Sequence, residues 1–177
     1  MRKVVVYELM ALDGVGEEPG DWMFDVDEAV FSNIAEVVST QDTVLMGRGT
    51  YDYWAGHWPH SDLEPFASFI NRTPKHVFTS RPLEPQWENS VAVSEPLVGH
   101  VRALKETDGR EIGVHASLTI ANALLRAELV DELRLVVAPA LAGHGRALFD
   151  EGALRRLTLL DVDRTGGGAL LLHYALA

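Results

Sequence analysis

The sequence predicts an α/β fold, a mostly parallel sheet with an antiparallel edge, on three observations. Short apolar, β-branched runs alternate with segments of helical spacing through the first two thirds of the chain. The last third replaces that alternation with two strand-like runs around Gly166-Gly167-Gly168. With 47% hydrophobic residues, 177 residues are enough to bury the core of one domain and too few for two, so residues 1–177 read as a single globular domain.

Each element follows from its local pattern. Lys3–Leu12 begins apolar and β-branched and stops at Asp13-Gly14, as a strand entering a turn does. Residues 14–22, GVGEEPGDW, form a loop. From Asp25 to Val38 the apolar positions Val26, Ala29, Val30, Ile34, Val37 and Val38 recur at helical spacing, with Asp25 or Asp27 placed to cap the start. Thr43–Met46 is the second strand, followed by a short helix from about Thr50, a helical Phe66–Asn71 and a third strand His76–Thr79. Ser90–Val93 is a short strand, Glu95–Lys105 a helix with Pro96 near its first turn, and Glu111–His115 a strand. Leu118–Leu129 shows a helical apolar face, with Ser117 or Thr119 as its cap. Leu133–Ala138 is a buried strand, Gly143-His144-Gly145 a loop, and Leu157–Val162 with Ala169–Ala175 a terminal hairpin.

Composition narrows the function. A net charge of -11 disfavours nucleic acid and anionic membrane as partners, since a polyanion must be met by a basic face. No run of about 18 apolar residues is present, and the N-terminal MRKVVVYELMALDG lacks a small-residue cleavage site. The absence of cysteine excludes disulfides, thiolate metal sites and cysteine nucleophiles and fits a reducing compartment. A cytoplasmic location is the expectation.

The segment Val44–Tyr51, VLMGRGTY, is the most informative. An apolar run breaks into Gly-Arg-Gly-Thr where a helix must begin, and free backbone N–H groups at a helix N-terminus suit an anion. The alternative is an ordinary strand-to-helix turn with Thr50 as cap. Ligands of such sheets sit beyond the carboxyl ends of the strands, and three ends carry suitable groups: Gly47-Arg48-Gly49-Thr50, Thr79-Ser80-Arg81 and His115-Ala116-Ser117. A dinucleotide needs that many anchors. Arg81 suits a 2′-phosphate, which points to NADPH over NADH; taken singly, Arg48 and Arg81 read first as solvated surface charges, and it is the conjunction of the three loops that favours the nucleotide. His57 and His60, three apart beside Pro59, lack a rigid helix and a third ligand, so no metal site is expected. No Ser-His-Asp arrangement or Walker-type loop presents itself.

The ordered segments ALDG (residues 11–14), MGRGTYD (46–52), PKHVFTSRPLE (74–84), VHASLTIANALLRAELVDELRLVVAP (114–139) and LAGHGRALF (141–149) carry a family resemblance across nearly the whole chain. The chain resembles the stand-alone dihydrofolate reductase-like family, similar to the reductase domain of bacterial riboflavin biosynthesis enzymes. The resemblance implies a three-layer α/β/α fold with NADPH across the sheet, often a homodimer, and an acceptor of pterin or ribosylamino-pyrimidine type. By position, Gly47, Arg48 and Thr50 would hold the pyrophosphate side, and Thr79, Ser80 and Arg81 the adenosine 2′-phosphate. His115, Ala116, Ser117 and Leu118 would form the second phosphate loop, and Asp13 would lie near nicotinamide and substrate. Where the family has a Gly pair or Gly-Ser, this chain has Ala116-Ser117, which adds a methyl and disfavours a positive φ.

For the acceptor, whose N–H groups a carboxylate can pair, the candidates are Asp13 first, then Asp25, Asp27 and Glu28, the last three serving equally well as helix caps. Trp22, and less so Trp54 and Trp58, offer an aromatic wall or simply core. His144 between glycines reads as a turn. An NADPH-dependent reductase is the leading expectation. A nucleotide-binding module without turnover and a structural dimer without nucleotide are the alternatives.

Overall fold

The computed structural model describes residues 1–150 and 152–176. Its strands are β1 (Val4–Ala11), β2 (Gln41–Gly47), β3 (Lys75–Phe78), β4 (Ser90–Val93), β5 (Glu111–His115), β6 (Glu132–Ala138), β7 (Leu157–Arg164) and β8 (Leu170–Leu176). Its helices are α1 (Glu28–Ser39), α2 (Arg48–Trp54), α3 (Phe66–Arg72), α4 (Leu97–Lys105) and α5 (Leu118–Arg126), with 3-10 turns at Pro19–Asp21 and Trp58–His60. All eight strands form one sheet in the order β4-β3-β2-β5-β1-β6-β8-β7. β1 to β6 pair in parallel, while β8 runs antiparallel to β6 and β7 antiparallel to β8. The expected mostly parallel sheet with an antiparallel edge is therefore the observed one.

Alternating side chains place a core on each face of the sheet. Val4, Val6, Leu45, Ile112 and Val114 pack with Val101 of α4 and Ile120 and Leu124 of α5. On the opposite face, Val44, Met46 and Val77 meet Tyr51 and Trp54 of α2 and Ile70 of α3, and Tyr7 and Val136 meet Val30 and Val37 of α1. The layers are thus helix, sheet, helix.

Several boundaries move from their expected places for physical reasons. β2 starts at Gln41 rather than Thr43, because Gln41 is buried against His115 and Asp42 accepts the Arg110 amide at 2.7 Å. β3 starts at Lys75, whose buried ammonium donates to the carbonyls of Ile70 (2.8 Å) and Thr73 (3.0 Å) at the end of α3. α5 stops at Arg126 and not Leu129: Glu128 takes φ 58 and the Leu129 amide turns back to the Leu124 carbonyl at 3.0 Å. α2 starts at Arg48 with Gly47 as N-cap, so Thr50 is not a cap.

Candidate functional site

Because β2 and β5 are neighbours, the loops that leave their carboxyl ends meet. The Ser117 hydroxyl accepts the Gly47 amide at 2.9 Å and lies 2.9 Å from the Thr50 hydroxyl, which also reaches the Ala116 carbonyl at 3.1 Å. Ser117 is the N-cap of α5 by position, yet its side chain serves the other loop and caps nothing in α5. Amides in the first turn of α5 are left without a side-chain partner, a favourable place for negative charge.

The third loop joins through Arg48. Its guanidinium donates to Asp52 (2.5 Å) and to the carbonyl of Pro82 (2.8 Å), tying the Ser80–Pro82 turn to α2. Thr79 accepts the Arg81 amide at 3.1 Å, and Ser80 and Arg81 are exposed. Arg48 is thus bonded within the protein, whereas Arg81 makes no ion pair among the described residues. Ala116 adopts φ 50, the left-handed region that costs an L-residue roughly 1–2 kcal/mol. Ala116→Gly is expected to stabilise the fold by up to about 1 kcal/mol, the strain relieved exceeding the entropy that glycine adds to the unfolded chain, as a denaturant titration would show.

Beside these loops lies a cavity of about 640 Å³. The end of β1 (Tyr7, Glu8, Leu9), α1 (Phe31, Ile34), Thr50, Tyr53 and Trp54 of α2, and Trp58, Phe66, His115, Ala116 and Leu118 all line it. Trp54, Trp58 and Phe66 pack edge to face with centroids 4.8–5.8 Å apart, giving it an aromatic wall.

Two buried titratable groups belong to the lining. Glu8 is 3% exposed, and burial pushes its carboxyl up to about 8, with the amides of Ser117 and Ala116 partly opposing the shift. At neutral pH it is mostly a carboxylic acid. Its Oε1 has no hydrogen-bond partner among the described residues. His115 is 2% exposed, its Nε2 lies 2.7 Å from Gln41 Oε1, and burial lowers its pKa to about 3, so the ring is neutral. The His115 ring points into the interior, against Phe66 and Tyr7, and only its backbone belongs to the loop.

Three residues expected at the substrate do not line this cavity. Asp13 is exposed outside the cavity, where it accepts the Gly143 amide at 2.8 Å and ties the loop after β1 to the loop after β6; that amide is the chief cause holding its carboxyl below the usual range. Trp22 is buried among Ala11, Val15 and Ala138, donating its indole N–H to the Glu17 carbonyl at 2.9 Å. Asp27 is the N-cap of α1, accepting the amides of Ala29 and Val30 at 3.1 and 3.3 Å, and it also accepts the Gly167 amide. Glu8 was not anticipated. Its signal was a lone carboxylate within the apolar run VVVYELMA, in a strand that a parallel sheet buries on both faces.

No described helix is long and apolar enough to cross a membrane. The chain is 28% identical over 179 residues to the uncharacterised protein YwjB of Bacillus subtilis strain 168, covering 99% of each. Among solved structures, it is similar to a Shewanella sp. PV-4 protein whose name ties it provisionally to riboflavin biosynthesis, with TM-score 0.80, 18% identity and 99% of both chains covered. It also matches the Thermotoga maritima diaminohydroxyphosphoribosylaminopyrimidine deaminase/5-amino-6-(5-phosphoribosylamino)uracil reductase, with TM-score 0.72 and 17% identity, over 99% of this chain and 57% of that one. These likenesses describe the same sheet and helix layers. Since the model of the RibD C-terminal domain matches residues 2–171, the chain belongs to that family.

Proposed function

We propose that this protein is an NADPH-dependent reductase that delivers a hydride to a small pterin or ribosylamino-pyrimidine-type heterocycle. The observation that carries the reading is the direct bonding of the three strand-end loops to one another beside an aromatic-walled cavity. The residues suit the nucleotide: the free first-turn amides of α5 and the Gly47–Thr50 turn for the pyrophosphate, and exposed Arg81 with Thr79 and Ser80 for the 2′-phosphate. When bound, NADPH supplies the hydride. The chain orients the acceptor on its aromatic wall and holds a proton on Glu8.

The test is a calorimetric titration with NADPH and NADH side by side. Arg81→Ala is expected to weaken NADPH by roughly 1.5–3 kcal/mol, the cost of a charge-assisted contact, and to leave NADH unchanged. Binding of neither nucleotide would end the reading. The placement of Asp13 outside the cavity and the strained Ala116 favour a second reading, a nucleotide-binding module that holds NADPH without consuming it. Oxidation of NADPH in the presence of a pterin or pyrimidine separates the two. The proposal extends to a cytoplasmic homodimer, supported by the edge strand β7, which leaves Leu159, Leu160 and Val162 about half exposed. Light scattering checks the dimer.

A further inference from the structure

β1 and β5 run side by side with Tyr7 opposite His115, so the next residue on each, Glu8 and Ala116, stands where β5 gives way to its loop into α5. Val4, Val6 and Met10 of β1 pack on the α5 face of the sheet, and by alternation Glu8 points to that face too. Its buried carboxyl faces the amides of Ala116 and Ser117, and its Oε1 has no hydrogen-bond partner among the described residues. A titratable group thus lies against the N-terminal end of α5 from inside the protein, where Ser117, the N-cap by position, gives the helix no side-chain bond. Ala116 holds φ 50, a conformation that surrounding contacts must sustain, and the Glu8 carboxyl beside its amide is one of them.

The proton on this carboxyl decides what the helix end offers to an outside anion. A neutral acid supports the turn and leaves the positive end of the helix dipole uncompensated. A carboxylate at the same place brings its own negative charge to that end and repels the anion. The ionisable groups of the surrounding elements do not offset such a charge. Tyr7 and the neutral His115 turn to the opposite face of the sheet, where Arg134 of β6 pairs with Glu36. Arg126 closes the far end of α5 on Asp150, Arg48 of α2 is paired with Asp52, and Arg146 is paired with Glu17. Glu18, Tyr53, His57 and Glu64 are the other ionisable groups of the cavity lining.

We propose that Glu8 is a positioning residue for anion binding at the β5–α5 loop: protonated, it supports the Ala116–Ser117 turn, and on losing its proton it drives the anion off. Nucleotide binding is then coupled to proton uptake by Glu8. The word nucleotide rests on the reductase reading, but the coupling of anion to proton does not.

The experiment is calorimetric titration with NADPH from about pH 7 to about pH 9, above the second ionisation of a phosphate monoester near about pH 6, so that the charge of the ligand stays constant. With the folded Glu8 carboxyl at about 8, about one molecule in eleven keeps the proton at pH 9, and the apparent Kd is expected to rise roughly tenfold over the range. Near pH 8, buffers of different ionisation heat should reveal uptake of about half a proton per NADPH bound. Glu8→Gln is expected to bind at pH 7 as the unaltered protein does, with no weakening toward pH 9 and no proton uptake. Glu8→Leu, which cannot meet the two amides, should bind several-fold more weakly throughout. A flat profile without uptake in the unaltered protein, or an equal fall in Glu8→Gln, overturns the inference and leaves the reductase reading intact. If NADPH does not bind, the reductase reading falls, and sulfate, whose charge is fixed in this range, becomes the probe, with the Ala116 methyl resonance as readout. A response to sulfate that fades toward pH 9 in the unaltered protein but not in Glu8→Gln upholds the inference. No response, or one independent of pH, overturns it.

Discussion

Glu8→Gln is expected to abolish a loss of stability that the unaltered protein suffers between about pH 6.5 and pH 8. In the unfolded chain the Glu8 carboxyl titrates near its ordinary value of 4.5, while in the folded protein burial holds it at about 8. Throughout that window the native state binds a proton that the unfolded state has released. The Glu8 contribution to stability therefore falls as pH rises, by about 1.4 kcal/mol per pH unit and at most about 5 kcal/mol in all. His115 acts with the opposite sign: its ordinary value is 6.5 and its folded value about 3, so the unfolded chain binds the extra proton between them and stability rises with pH.

The two contributions cancel between about pH 4.5 and 6.5 and leave a plateau. Below it stability drops through His115, and above it through Glu8. In Glu8→Gln the descent above pH 6.5 should vanish, while the acid descent moves to higher pH because nothing then offsets His115. Urea denaturation at unit steps from about pH 4 to about 9 tests this, since an effect of a few kcal/mol is a large part of a typical total of about 5–15 kcal/mol. Parallel curves for the two proteins would mean that Glu8 ionises normally in the fold, and the neutral acid in the cavity would have to be given up.

Gly113→Ala is the second large effect. Gly113 and His115 lie two apart on β5 and face the same side of the sheet, and Gln41 reaches over from β2 to meet the ring. A Cβ on Gly113 would stand 2.0 Å from Gln41 Oε1 and 2.8 Å from His115 Nε2. One or both buried side chains must move. Overpacking costs about 1–3 kcal/mol and a broken buried hydrogen bond about 1–3 more, so a loss of roughly 2–6 kcal/mol is expected in denaturant. Because His115 lines the cavity and packs on Phe66, ligand binding there should weaken in the same variant. A variant as stable as the original would show that the Gln41–His115 pair has room to shift.

Much of this fold could be read locally. Strand-helix alternation, the Asp27 cap, Pro96 before α4 and the glycine hairpin are governed by residues within one turn of helix or one reversal of chain, and those elements stand within a few residues of where they were expected. The same local logic located the three strand-end loops, because Gly, Arg, Thr and Ser after an apolar run are short-range signals. Asp13 is a residue for which that local logic leaves two roles open. A turn aspartate before glycine looks alike whether it faces a ligand or a neighbouring loop, and the Gly143 amide that engages it lies 130 residues away in sequence.

The sequence by itself determined the fold class, the order of strands and helices and the loops suited to a nucleotide, because hydrophobic periodicity, capping and turn chemistry are properties of neighbouring residues. Only the tertiary structure decided that Glu8 is a neutral acid, that His115 turns inward onto Gln41 and Phe66, and that Arg146 is committed to Glu17. Each of those depends on burial and on partners brought from distant segments. Desolvation and long-range pairing come into being when the sheet assembles, and no window of the chain contains them.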